Sequence, residues 1–266
     1  MPDVKLSPRL VLHYLDENPQ GKSTVVLLHG LGATSQSWLL QIPILTTAGF
    51  RVIAPDMRGF GDSTYPGGRY RIEDLATDVA ALLAQVGIRR TSLVGISMGG
   101  TVSLGLLCDY AQFVDKAILV NTFARLRPAK PASLFYYALR FALIYSVGLK
   151  PQAKAVSRHI FPKPEQEVLR QLLVEEILKS DPAGYRAAFL ALARFNRKTC
   201  LGQIKTPSLV VTGACDTTVL PENQRHLVEG IPGARQVVIP DAGHAVTVDQ
   251  PEAFNKIMLN FLFDSF

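Results

Sequence analysis

Gly95-Ile96-Ser97-Met98-Gly99 sets a serine between glycines directly after an apolar run, residues 92–96, that reads as a strand. This is the sequence form of a nucleophile elbow, a sharp strand-to-helix turn that lifts a serine hydroxyl clear of the backbone. The backbone of such a turn is strained, and glycines two positions before and after the serine let strand and helix approach closely. A bare G-x-S-x-G also arises in glycine-rich turns, so its weight comes from the strand before it and the helical pattern over residues 98–108 after it. On that context Ser97 is the candidate nucleophile.

A serine hydroxyl is a poor nucleophile until an imidazole takes its proton, and a carboxylate must fix the tautomer of that imidazole. In this arrangement acid and histidine follow the nucleophile in that order along the chain. Residues 207–213, PSLVVTG, form a buried-strand pattern that runs into Ala214-Cys215-Asp216, and residues 235–239 form another strand, followed by Pro240-Asp241-Ala242-Gly243-His244. Asp216 and His244 thus lie just past the ends of two strands, as candidate acid and general base. Asp241 is the rival for the acid. The tetrahedral intermediate needs backbone donors, one from the residue after the serine and one from the loop after an earlier strand. Met98 and Leu31 hold those positions, Leu31 within the glycine-rich His29-Gly30-Leu31-Gly32 loop that follows the apolar strand 25–28. His29 reads as a residue that stabilises this loop rather than a second base.

HGLG at 29–32, DMRGFGDS at 56–63, GISMGG at 95–100, TGACD at 212–216 and DAGHAVTVDQPEAF at 241–254 resemble the α/β-hydrolase family. The resemblance spans nearly the whole chain. It implies a mostly parallel eight-stranded sheet flanked by helices, with the site at the C-terminal strand ends, and it is closest to the esterase, lactonase and carbon-carbon hydrolase branch that carries a helical lid. Members that open epoxides or displace halide have an aspartate where Ser97 stands, which argues against those activities. Hydrolases of ring-cleavage products commonly have a tryptophan after the catalytic histidine, and Ala245 demotes that reaction. Some members place the acid after the sixth strand; here that strand, residues 117–120, ends in Asn121, which leaves Asp216 as the better acid.

The 266 residues, 48% of them hydrophobic, suit one large α/β domain. The amino terminus lacks the apolar segment of a secretory signal and leads into a first strand near Val11, so a cytoplasmic location is the default. Cys108, Cys200 and Cys215 are scattered and odd in number, which argues against a disulfide framework. They read as reduced, with Cys215 a packing residue. The Gly30-Leu31-Gly32 loop lacks the third glycine of a dinucleotide fingerprint. No metal motif such as H-E-x-x-H occurs, and the expectation is no cofactor, no metal and no nucleic-acid partner.

Residues 72–86 and 251–263 carry helical periodicity, the latter with Pro251 in a first-turn position. The interval 122–202 breaks the strand-helix alternation, with helical patterns and prolines but no convincing strand, and reads as a lid between core segments 1–121 and 203–266. It carries a net charge of +9 against −3 for the remainder. A basic lid can steer anionic substrates, rest on an acidic membrane, or simply present a solvated face. Residues 134–149 form an apolar stretch interrupted by Arg140, too short for a bilayer span of roughly 20 residues. Phe135, Tyr136, Phe141 and Tyr145 on this stretch, with Trp38 in the helix after the glycine-rich loop, are candidates for a substrate pocket and equally for ordinary core. The expected activity is hydrolysis of small to medium carboxylic esters or lactones through an acyl-enzyme. The alternatives are carbon-carbon hydrolysis of a vinylogous diketone, a cofactor-free perhydrolase, or a ligand-binding receptor on the same scaffold.

Overall fold

The computed structural model describes residues 2–126 and 131–264, without the side chains at 131–134, 136, 137 and 143. The amino-terminal half runs β1 (Asp3–Ser7), β2 (Leu10–Glu17), β3 (Ser23–Leu28), α1 (Ile42–Thr47), β4 (Phe50–Pro55), α2 (Ile72–Gln85), β5 (Thr91–Ile96), α3 (Met98–Asp109) and β6 (Val114–Val120). Four helices follow, α4 (Pro131–Ser146), α5 (Leu149–Ile160), α6 (Glu167–Leu178) and α7 (Pro182–Arg194). The chain then closes with β7 (Ser208–Gly213), α8 (Pro221–Gly230), β8 (Arg235–Ile239), α9 (Val246–Asp249) and α10 (Pro251–Phe263).

The eight strands form one sheet in the order β1-β2-β4-β3-β5-β6-β7-β8. The β1–β2 and β2–β4 pairs are antiparallel and all others parallel. This is the mostly parallel eight-stranded α/β sheet that the family resemblance implies. Val25, Val26, Leu27 and Leu28 are all fully buried, because helices cover both faces and alternate residues feed two separate cores. Val26, Leu28, Leu93 and Leu119 pack with α2 and α3, whereas Val25, Leu27, Val94 and Val120 pack with α1 and α10. Helix α2 buries Ile72, Leu75, Val79, Leu82 and Leu83 as one stripe, and its first turn is capped by Asp74, whose carboxylate accepts from the Arg71 N–H at 2.7 Å.

Three expectations are corrected here. The first strand is β1, and Val11 belongs to β2; a five-residue edge strand with one buried side chain leaves little hydrophobic signal. Cys108 and Cys200, expected to be reduced, form a disulfide between the end of α3 and the 3-10 turn before β7, with Cα atoms 6.1 Å apart. Ninety-two residues separate them in sequence, so only the tertiary fold shows that they meet. Cys215, expected to pack, is exposed.

The helices α4 to α7 stand between β6 and β7 over the C-terminal ends of the strands. The chain leaves and re-enters the sheet layer at adjacent points: Arg125 forms an antiparallel bridge with Asn196, and the Arg197 N–H donates to the Ala124 carbonyl at 2.9 Å. Gly59 and Gly184 seat α7 against the core, since a Cβ on either would lie 3.0 Å from the Cα of the other. Residues 127–130 of the expected lid and the side chain of Tyr136 lie outside the described residues.

Candidate active site

Ser97 connects β5 to α3 with φ +54° and ψ −112°, a conformation side chains rarely adopt. The turn is held by three bonds: the Ser97 N–H to the Val120 carbonyl (2.9 Å), and the Ser97 carbonyl from the Thr101 N–H (3.1 Å) and the Thr122 hydroxyl (2.7 Å). Its tightness explains the flanking glycines. A Cβ at Gly99 would sit 1.9 Å from the Leu28 carbonyl oxygen, and one at Gly95 would sit 2.4 Å from the Gly99 carbonyl oxygen.

The loop after β3 lies beside the serine, because a Cβ on Gly30 would be 3.6 Å from the Ser97 Cβ. Leu31 borders the same cavity as Ser97, and Met98 opens α3, where first-turn N–H groups have no intrahelical acceptor. His29 fixes the loop from behind. Its Nε2 accepts from the Met57 N–H at 3.0 Å, so Nδ1 carries the proton and donates to the Gly30 carbonyl at 2.8 Å. Burial pushes its pKa below the usual histidine range and keeps the ring neutral.

Asp216 follows β7 and is buried. Its Oδ1 accepts from the N–H groups of Thr218 and Val219 at 2.8 and 2.9 Å, and its Oδ2 accepts from His244 Nδ1 at 2.8 Å. With Nδ1 as donor, His244 Nε2 is the ring nitrogen left to take a proton. Asp241, the sequence rival, is exposed at a left-handed turn position, φ +58°.

Two further residues shape the site. Asn121, at the end of β6, donates from Nδ2 to the carbonyls of Gly243 (3.0 Å) and His244 (2.8 Å), and its Oδ1 accepts from the Gly213 N–H (2.8 Å) and Gln224 Nε2 (3.3 Å). It thereby ties the loop bearing the acid to the loop bearing the histidine. Its sequence signal was a polar residue closing an otherwise apolar strand. His159 of α5 reaches Thr217 beside the acid, Nε2 to Oγ1 at 3.3 Å, and burial lowers its pKa.

Ser97 and His244 border a cavity of about 750 Å³. Its walls are chiefly apolar, with Phe123, Val156, Phe161, Leu173, Phe189 and Leu192 among them, and Arg140 and Glu176 are its charged members. Arg140 is held by the Tyr185 hydroxyl (3.2 Å), the Gln152 side-chain oxygen (2.8 Å) and the Phe189 ring (5.0 Å to its centre). Of the aromatic pocket candidates, Trp38 and Phe141 line this cavity. Trp38 lies in a 3-10 turn, Ser35–Trp38, instead of a full helix, and is 1% exposed. Phe135 and Tyr145 are not among the described lining residues and face outward, 71 and 47% exposed, because helical periodicity does not reveal which face of an all-apolar helix meets the core. Among the described residues no cluster of three or more His, Cys, Asp or Glu side chains could hold a metal, and no helix is long and apolar enough to cross a membrane.

Residues 23–251 match a sequence family described as alpha/beta hydrolase fold. A 3-oxoadipate enol-lactonase from Acinetobacter baylyi is 30% identical over 95% of this chain and 93% of its own. Among solved structures, an enol-lactonase from Burkholderia xenovorans superposes with a TM-score of 0.90 at 29% identity, covering 99% of this chain and 100% of that one. A thermophilic esterase from Thermogutta terrifontis superposes at 0.85 with 28% identity, covering 98% of both.

Proposed function

This chain belongs to the α/β-hydrolase fold family, and on that premise we propose that it hydrolyses carboxylic esters, either small to medium acyl esters or lactones, through a serine acyl-enzyme. The observation that carries the reading is the 2.8 Å bond from His244 Nδ1 to the buried Asp216, at the edge of the cavity into which Ser97 opens from its strained turn. Ser97 Oγ attacks the acyl carbon while His244 Nε2 takes its proton, and the Leu31 and Met98 amides receive the oxyanion. The imidazolium then gives its proton to the leaving alkoxide. A water, deprotonated by the same nitrogen, releases the acid and restores Ser97. No step calls on a cofactor.

The apolar cavity supports an acyl group or lactone ring as the bound portion of the substrate, with Trp38 and Phe141 against it. Residues 122–202 act as the lid, closing the cavity over the strand ends. The names of the similar proteins, an enol-lactonase and an esterase, support the same bond class. A cytoplasmic location belongs to this reading, and the Cys108–Cys200 bond weighs against it, since such bonds persist chiefly in oxidising compartments. The thiol count of protein taken directly from cells decides between them.

The test is a rate series on p-nitrophenyl esters of rising acyl length and on a lactone panel, with Ser97→Ala as control and intact-mass detection of a fluorophosphonate adduct. Serine-dependent turnover with the adduct mapped to Ser97 is expected. Labelling without turnover of any ester or lactone would overturn the proposed reaction while keeping the nucleophile, and absence of labelling in a folded protein would overturn the nucleophile itself.

A further inference from the structure

Helix α4 packs on α5 at the outside of the molecule, and of its described side chains only Arg140 and Ile144 are buried. Phe135 is 71% exposed, and Leu139, Phe141 and Tyr145 are exposed by 44 to 47%. A helix apolar on every side is ordinarily found in a core or against lipid, and a contiguous exposed apolar patch marks an interaction surface. The patch continues into the rim of the cavity. Phe141, Leu172 of α6 and Leu39 and Leu40 of the core all line the cavity, each exposed by 46 to 60%.

The charge along α4 and α5 is of one sign. From Asn121 to Pro164 the chain carries eight lysines and arginines, of which Arg140 is buried in the cavity wall, and not one carboxylate side chain. Lys150, Lys154 and Arg158 are exposed at four-residue spacing along α5, which places them on one stripe, and Arg125 and Lys163 are exposed at either end of the segment. Of the three carboxylates of α6, Glu167 and Glu176 are paired with Arg170 and Lys179, which leaves Glu175 exposed beside the cavity-lining Glu176.

Apolar and aromatic side chains bordered by cations match the boundary of an anionic bilayer, where acyl chains take the former and headgroups the latter. A second copy of the chain would bring these cations against their like, which opposes self-association through this face. An acidic protein surface would satisfy the cations and leave the apolar rim in contact with polar groups. We propose that the face formed by α4, α5 and the cavity rim docks on a lipid bilayer bearing anionic headgroups, lying on it without crossing it. The cavity rim then faces the acyl chains, so that an apolar ester enters from lipid. The docking itself does not depend on the hydrolytic reading, and its first readout involves no turnover.

The experiment is co-sedimentation of the full chain with vesicles of phosphatidylcholine alone and of phosphatidylcholine mixed with phosphatidylglycerol, at low and high salt. Binding to the anionic vesicles at low salt, and its loss at high salt, is expected. Replacing Lys150→Glu and Lys154→Glu should weaken the partition by at least about fivefold per cation removed, and Phe135→Asp should weaken it as well. Neither change should alter the melting temperature or the turnover of a short soluble ester. Failure of the wild type to sediment with anionic vesicles at low salt overturns the proposal. So does binding that ignores lipid charge or is unaffected by these substitutions. A dimer in lipid-free solution that Phe135→Asp dissolves, without vesicle binding, would assign the face to a second copy instead.

Discussion

The side chain of Asn121 donates a 2.8 Å hydrogen bond to the carbonyl oxygen of His244, a residue 123 positions further along the chain. The same side chain receives the Gly213 N–H at the end of the strand leading to Asp216. One amide therefore sets the separation of two loops whose side chains must meet to within tenths of an ångström. Asn121→Ala strands these buried groups, at about 1–3 kcal/mol each, and lets the imidazole drift. The expected result is a lower melting temperature and a kcat reduced by about 10²-fold with KM little changed. A shifted pH-rate profile in the folded fraction separates this from simple unfolding. An unchanged kcat would show that the loops hold their spacing without it.

Asp216→Asn replaces the acceptor that keeps the His244 proton on Nδ1. Turnover should fall by up to about 10⁴-fold, whereas Asp241→Asn, at an exposed turn, should leave kcat near wild type. Steady-state rates of the two variants suffice, and the reverse outcome would transfer the acid role to Asp241.

The turn at Ser97 stores backbone strain of about 1–3 kcal/mol, and glycine adopts its φ and ψ freely. Ser97→Gly should raise the urea midpoint while abolishing turnover. Gly99→Ala should do the opposite to stability, since its Cβ would lie inside the van der Waals contact of the Leu28 carbonyl. A destabilised Ser97→Gly would mean that the serine side chain contributes more packing than the strain costs.

His29 and His159 both have folded-state pKa values depressed mainly by burial. Above the unfolded-state histidine pKa of about 6.5 both states are neutral at these rings, and the full stability is present. As pH falls below that value the unfolded chain gains protons that the folded rings resist, so stability drops, by at most about 1.4 kcal/mol per pH unit for each ring. Urea midpoints measured across the acid side of neutrality should fall accordingly. A flat profile through that range would show that the folded rings titrate normally.

The Cys108–Cys200 bond closes a loop of 92 residues. By loop entropy it stabilises the folded chain by up to about 4.7 kcal/mol, with 2–4 typical. Cys108→Ser should lower the denaturation midpoint to the value that wild type shows in reductant, and reductant should then have no additional effect on the variant. Equal midpoints for all four samples would show the thiols to be free in solution.

What could be read from the sequence was local or ordered along the chain. The strand preceding Ser97, the strands leading to Asp216 and His244, and the helix Pro251–Phe263 all carry their patterns within a dozen residues. The structure brings Asp216 and His244 into hydrogen-bond contact, as their positions past neighbouring strand ends suggested. Harder to read was whatever depends on distant segments meeting. The bridging amide of Asn121 looked only like the end of a strand, the cysteine pair was concealed by its separation, and Phe135 and Tyr145 could not be oriented from a stripe that is apolar all round. His159 had no local pattern at all, because its neighbour Thr217 lies on the far side of two helices in the chain.

The paired backbones of Arg125 and Asn196 bring both ends of the intervening helices to one place on the scaffold. A different helical layer joined at the same two residues should therefore leave the strands and turns holding Ser97, Asp216 and His244 in place. Several seats constrain such a graft, among them the close approach of Gly184 to Gly59, the bond from Thr34 to Glu176 beside the glycine-rich loop, and the contacts of His159 with Thr217 and of Gln166 with Asp249. On the proposed reading, much of the wall that meets the substrate and the groups that cleave its bond then lie on separate stretches of chain.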